Sequence, residues 1–123
     1  MPRLILIVED TATLASSLAV AIEAIGNVCV IVAGDATEAL RFLRLQCHSL
    51  AAVVTDLNLP DEDGFTLIQA IREMEPYRTV PVILITAQES PRPKEQHMLG
   101  SPNAIFHKPF SMKEVRRVLE TLL

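Results

Sequence analysis

Residues 51–59 read Ala51-Ala52-Val53-Val54-Thr55-Asp56-Leu57-Asn58-Leu59, an apolar, β-branched run without polar alternation that stops on a carboxylate. Such a run reads as a strand buried on both faces. It delivers Asp56 to the end of the strand, where the chain leaves the sheet. Four more runs stand around it: Leu4–Val8, Val28–Ala33, Val80–Thr86 and the shorter Ala104–Phe106. The first three of these are equally rich in Val and Ile.

Between the runs the apolar spacing changes to that of helices. Leu14, Leu18, Ile22 and Ile25 form one stripe, closed by Gly26 as a C-cap. Asp35 with Glu38 reads as a capping box opening a second helix, with Leu40 and Leu43 inward. Phe65, Ile68, Ile71 and Met74 stripe a third, and Ser111 with Glu114 opens a last one carrying Val115, Val118, Leu119 and Leu122. Strand and helix in short alternation imply parallel strands joined by right-handed crossovers. The expected fold is therefore a three-layer α/β sandwich around one five-stranded sheet. Its fourth crossover, residues 87–103, holds Pro91, Pro93 and Pro102. Proline removes a backbone donor and blocks the preceding turn, so any helix there is expected to be short and to begin at or after Pro93.

The 123 residues fit one domain, 1–123, with half of them apolar and 21% charged, which excludes a disordered tail. No run approaches the length that spans a bilayer. Met1-Pro2-Arg3 and five apolar residues run straight into Glu9-Asp10, which is no secretory leader, so a cytoplasmic protein is expected. Cys29 and Cys47 lack the spacing of a zinc site. The net charge of −4 argues against direct nucleic-acid binding.

Ligands of open parallel sheets bind outside the carboxyl ends of the strands. Glu9 and Asp10 follow the first strand, Asp56 ends the third, Thr86 the fourth, and Lys108-Pro109 follows the fifth. Taken singly, Asp10 could be a helix cap, Thr86 a strand residue and Lys108 a solvated surface group. Together they are another matter, because crowded carboxylates are unfavourable unless a cation neutralises them. Hard oxygen ligands with room for water select Mg²⁺. A metal, a lysine and a hydroxyl around a carboxylate nucleophile suit phosphoryl transfer.

These residues carry a family resemblance over the whole chain. Val8-Glu9-Asp10, then Thr55 to Gly64 (Thr-Asp-Leu-Asn-Leu-Pro-Asp-Glu-Asp-Gly), then Ile85-Thr86-Ala87, then Lys108-Pro109-Phe110 resemble the motifs of response-regulator receiver domains. Their order and the separations of 46, 30 and 22 residues between Asp10, Asp56, Thr86 and Lys108 match as well. The resemblance implies a flavodoxin-like fold with strand order 2-1-3-4-5. It implies that Asp56 accepts the phosphoryl group and that Asp10 binds Mg²⁺. Glu9 would orient a metal-bound water, and Asn58 would give its main-chain carbonyl to the ion. Thr86 and the Ala87 amide would close onto the phosphoryl group, Lys108 would pair with one of its oxygens, and the Lys108–Pro109 bond would be cis. Gly64 would serve its loop through a positive φ. The implied partners are a sensor histidine kinase or histidine phosphotransfer protein and an unknown downstream protein or output domain. The chain would be no enzyme toward outside substrates, promoting only its own phosphorylation and dephosphorylation.

Two departures fall in the region that relays the signal, near the fourth crossover and the fifth strand. Ile105 stands three residues before Lys108, where the family often has Tyr or Phe; Phe106 is one place off and, in a strand, faces the other side. Gly100 lies eight residues before Lys108, where seven is commoner. Ordering of the segment after Thr86, not an aromatic flip, is the expected response. A phosphorylation-independent pseudo-receiver is the main alternative. A flavin module would want a Ser/Thr/Gly-rich phosphate loop after the first strand. A haloacid-type hydrolase would want a second Asp where Asn58 stands.

Overall fold

The computed structural model describes residues 2–45, 50–87 and 102–123. Among them are five strands, β1 (Arg3–Val8), β2 (Val28–Ala33), β3 (Leu50–Asp56), β4 (Val82–Thr86) and β5 (Ala104–His107). The helices are α1 (Ala12–Glu23), α2 (Ala36–Leu45), α3 (Gly64–Arg72) and α4 (Met112–Leu122). All pairings are parallel, in the order β2-β1-β3-β4-β5. This is the doubly wound arrangement expected from the alternation of runs and stripes. The helix expected at or after Pro93 lies outside the described residues.

Successive strand residues feed the two helical layers alternately, as the pleat requires. Ile5 and Ile7 pack with Leu18, Ile22, Val115 and Leu119 on the side of α1 and α4. Leu6 and Val8 pack with Ala39, Leu43, Ile68 and Ile71 on the side of α2 and α3. Each Val, Leu or Ile side chain among them, withdrawn from water, contributes about 1.5–3 kcal/mol. β1, β3 and β4 can be apolar through most of their length because both faces of the sheet's centre are covered, whereas the edge strand β2, expected to be buried on both faces, is largely half-buried, with Cys29 and Val32 exposed.

Differences from the expected boundaries have local causes. β4 begins at Val82, not Val80, because Pro81 has no N–H for the ladder; its carbonyl still accepts from the Val53 amide at 2.9 Å. A short 3₁₀ turn, Glu75–Tyr77, precedes it, and the buried Tyr77 hydroxyl donates to the Leu43 carbonyl at 3.0 Å. α1 stops at Glu23; Gly26 sits beyond the cap residue Ala24, with φ 90°, in the turn to β2. In α2 the inward residues are Ala36, Ala39 and Leu43, with Leu40 only half-buried. Asp35 Oδ1 accepts from the Glu38 amide at 2.7 Å, but the Glu38 carboxylate returns to the Gly34 amide, one residue earlier than a capping box would place it.

Gly64 corrects a second expectation. Among the described residues a left-handed backbone occurs at Gly26 and Asn27 alone, so Gly64 is not required for a positive φ. It is required for space. A Cβ there would lie 2.6 Å from the Asp56 carbonyl oxygen and 2.9 Å from both Leu57 Cα and Leu84 Cδ1. The Gly64 amide also donates to the Leu57 carbonyl at 2.6 Å, so the start of α3 is drawn against the end of β3. Gly64→Ala should therefore destabilise the fold by about 3 kcal/mol through backbone displacement. Urea unfolding measures this, and a midpoint equal to the parent's would refute the close-approach account.

Candidate functional site

Parallel register brings the chemical groups to one edge. Asp56 closes β3 opposite Ile85, Thr86 closes β4 opposite His107, and Lys108 follows β5 directly. Glu9 follows β1, its amide held by the Ala33 carbonyl at 2.9 Å. Glu9, Asp56 and Thr86 are 3%, 4% and 0% exposed. Asp10, Asn58 and Ala87 are exposed at the mouth of the same edge.

The contacts define a polarised centre. Lys108 Nζ stands 2.8 Å from Asp56 Oδ2, half-buried against the nearly inaccessible carboxylate. The Asn58 amide donates to Asp56 Oδ1 at 3.1 Å, so each Asp56 oxygen has a donor. The Lys108 amide donates to the Thr86 carbonyl at 2.8 Å, which ties the two flanking strand ends together. The Lys108–Pro109 bond is cis. Phe106 and Phe110, with ring centroids 6.2 Å apart, pack toward the α1 and α4 layer. Ile105 packs toward α2 and α3, on the opposite side, as its place in the strand requires.

Glu9 is the unbalanced member. Its Oε2 accepts from the Thr11 amide at 2.9 Å, but the buried Oε1 has no donor. Burial first, then hydrogen bonding with Asp56 and the charge of that carboxylate, push Glu9 up to about 7; the Thr11 amide and Lys108 pull the other way. Burial also works to lower the Lys108 ammonium, but the hydrogen bond and charge of Asp56, backed by Glu9 and Asp10, outweigh it and raise Lys108 above its ordinary value. Two buried carboxylates thus share one partly exposed ammonium, and the remaining negative charge calls for a proton or a cation.

The residues fit a small hard cation on that ground: a buried carboxylate oxygen without a donor, an adjoining aspartate, and an exposed Asp10 and Asn58 beside them. Among the described residues no three His, Cys, Asp or Glu side chains enclose a metal by themselves. A site that leaves positions for water suits Mg²⁺ better than zinc.

The strand ends gathered Glu9, Asp10, Asp56, Thr86 and Lys108 at one edge and the resemblance added Asn58 and Ala87, and all seven stand at that edge. Sequence reasoning missed the Thr11 amide, a main-chain group with no side-chain signature. It also gave no part to Asp61, whose Oδ1 accepts from the Ala36 amide at 3.0 Å and whose Oδ2 accepts from the Thr37 amide at 2.9 Å and hydroxyl at 2.6 Å. The Thr37 hydroxyl foremost, with the two amides, holds the Asp61 carboxyl below its ordinary range. No local signal marks this contact, because its partners lie 24 and 25 residues away.

A family model described as the response regulator receiver domain matches residues 5–120. The chain is 30% identical over 122 residues to response regulator Rre1 of a Synechocystis species, covering 99% of this chain and 52% of that protein. It is 35% identical over 119 residues to the transcriptional regulatory protein PhoP of Escherichia coli, covering 97% and 51%. The chain thus spans about half the length of these curated relatives. Among solved structures, the receiver domain of sensor histidine kinase PA1611 from Pseudomonas aeruginosa superposes with a TM-score of 0.83 at 27% identity, over 99% of this chain and 98% of that one. That protein carries a magnesium ion coordinated in its active-site cleft.

The Glu9 shift has a definite sign. Its proton is bound more tightly in the folded state, so this stabilisation is complete below pH 4.5 and is lost as pH rises through about 7. Metal-free protein should lose stability across that window, and Glu9→Gln should flatten the loss. Thermal unfolding in chelator-treated buffers compares the two; parallel pH profiles would exclude Glu9 as the source.

Proposed function

Because this chain belongs to the response regulator receiver domain family, we propose that it accepts a phosphoryl group on Asp56 from a phospho-histidine donor. The observation that carries the reading is the Lys108–Asp56 contact at 2.8 Å beside the donorless oxygen of Glu9. It puts a carboxylate, an ammonium and uncompensated negative charge on one strand edge, the groups that acceptance of a phosphoryl group requires.

The Asp56 carboxylate attacks phosphorus in line as the bond from phosphorus to the donor's imidazole nitrogen breaks, and the electron pair of that bond returns to the ring. Lys108, now on Asp56 Oδ2, moves onto a phosphoryl oxygen as the carboxylate becomes an acyl phosphate. The Thr86 hydroxyl and the Ala87 amide, at the end of β4, donate to the other equatorial oxygens. Asp10, Asp56 and the Asn58 carbonyl would hold Mg²⁺, with Glu9 orienting a bound water. The ion supplies positive charge against the phosphoryl oxygens. The mutual repulsion of Glu9 and Asp56 is relieved by such a charge or by a proton on Glu9, so ion binding competes with that proton.

The partners that follow are a sensor histidine kinase or a histidine phosphotransfer protein on one side, and a downstream protein or output domain on the other. The chain acts on no outside substrate and promotes only its own phosphorylation and dephosphorylation, in the cytoplasm. Among the described residues no helix is long and apolar enough to cross a membrane, and a net charge of −4 disfavours association with a phosphate backbone. The change that follows phosphorylation starts from Thr86 and reaches the fourth crossover and β5.

Acetyl phosphate with magnesium should add one phosphoryl group to the parent and none above background to Asp56→Asn, whose amide is a far poorer nucleophile. Intact-protein mass spectrometry reads the added mass. Labelling that persists in the variant would overturn Asp56 as acceptor; a parent that takes no label from either acetyl phosphate or a phospho-histidine donor would favour the phosphorylation-independent module. Asp10→Asn should weaken magnesium binding in a calorimetric titration, and unchanged binding would remove it from the ligand set.

A further inference from the structure

The loop from Leu57 to Gly64 is closed on itself. Leu59 donates to the Glu62 carbonyl at 3.2 Å, Gly64 to the Leu57 carbonyl at 2.6 Å, and Asn58 bridges to Asp63. Asp63 then caps α3 by accepting from the Thr66 amide at 2.8 Å. These bonds fix the loop's shape, and the Leu57 amide ties its start to β4 by donating to the Ile85 carbonyl at 2.7 Å, but none of them reaches the α2 side of the edge. Asp61 supplies that link. Its three hydrogen bonds reach across to Ala36 and Thr37, the first two residues of α2.

The far end of the link is firm. The first four amides of a helix have no partner within it. Here Asp61 takes those of Ala36 and Thr37, Asp35 takes that of Glu38 by its side chain, and the Asp35 carbonyl takes that of Ala39 at 3.1 Å. A negative charge at this point is also favoured by the helix dipole. The segment entering α2 runs from Ala33, whose carbonyl holds the Glu9 amide. Asp61 therefore connects the loop bearing Asn58 to the chain segment that positions Glu9.

We propose that Asp61 is a positioning residue for the cation and phosphoryl site, one that holds the Asn58 loop at a fixed distance from the Glu9 and Asp10 side of the edge. The proposal rests on the reading of the site given above. Asp61 touches neither the nucleophile nor the ion; it acts through the loop.

The test is an NMR titration of the parent, Asp61→Ala, Asp61→Asn and Asp35→Ala with magnesium chloride, alongside amide hydrogen exchange at Asn58 and Leu59 and a melting temperature for each. Asp61→Ala should bind magnesium about tenfold more weakly, the loss typical when a group that orients a metal ligand is removed. It should also exchange faster at Asn58 and Leu59. Asp61→Asn keeps one accepting oxygen and should fall between it and the parent. Asp35→Ala removes a cap from the same helix end without touching the loop, so it should lower the melting temperature while leaving magnesium affinity and loop exchange as in the parent. If both Asp61 variants bind magnesium like the parent, or if Asp35→Ala weakens binding as much as Asp61→Ala, Asp61 merely stabilises α2 and the proposal is overturned. If the parent itself binds no magnesium, the underlying site reading fails and takes the positioning role with it. Should Asp61→Ala not fold, the Asp61→Asn and Asp35→Ala comparison decides alone.

Discussion

Two carboxylates, Glu9 and Asp56, stand almost wholly out of water at the end of a sheet, with one half-buried ammonium between them and neutrality. Much of the rest of the structure serves that unfavourable arrangement. Charge removed from water is costly unless paired. Here it is paired incompletely, so the site keeps a standing demand for positive charge. The Asn58 and Thr11 amides satisfy one oxygen of each acid, and Lys108 a third, which leaves Glu9 Oε1 without a donor. An edge in this condition can be neutralised by a proton or by a cation.

Holding like charges together takes a frame that cannot relax. The parallel strands provide it: Val8 lies level with Thr55 in the sheet, Asp56 with Ile85, and Thr86 with His107. A slip of one residue would turn every side chain to the other face and scatter the site. Apolar burial on both faces of the sheet resists such a slip. The loops then fix what the strands leave free. Gly64 lets α3 press against the Asp56 carbonyl where a methyl group would collide, and Asp63 caps the same helix.

The opposite edge of the sheet is secured by different means. Arg72 at the end of α3 donates to the Val80 carbonyl at 2.8 Å and to Asn103 Oδ1 at 3.1 Å, and that oxygen also accepts the Val82 amide at 2.8 Å. The starts of β4 and β5 are thereby joined far from the chemistry. Any rearrangement begun at Thr86 meets a β5 anchored at its other end. Within β5, Ile105 and Phe106 face different layers, so an aromatic ring is present next to the site but on the α1 and α4 side. The residue on the other side is branched and aliphatic, with a stiff χ1.

Much of this was legible in the order of residues alone. Unalternating Val/Ile runs and 3.6-spaced stripes specify parallel strands and crossover helices, because burial on two faces leaves that mark on a strand and burial on one leaves the other mark on a helix. A strand's end fixes where its next residue stands, so Glu9, Asp56, Thr86 and Lys108 could be gathered on one edge before any distance was known. What the sequence could not hold is what depends on separation in space without a local code. Gly64 looks like a turn glycine, and only the packed chain shows it to be a point of contact between backbone segments. Asp61 looks like one loop acid among three, yet it spans to amides 24 and 25 residues away. The start of β4 moved by two residues because the ladder needed a donor that Pro81 lacks. The donorless oxygen of Glu9 is likewise invisible in sequence: burial, hydrogen bonding and charge at one atom are sums over neighbours that only folding brings near.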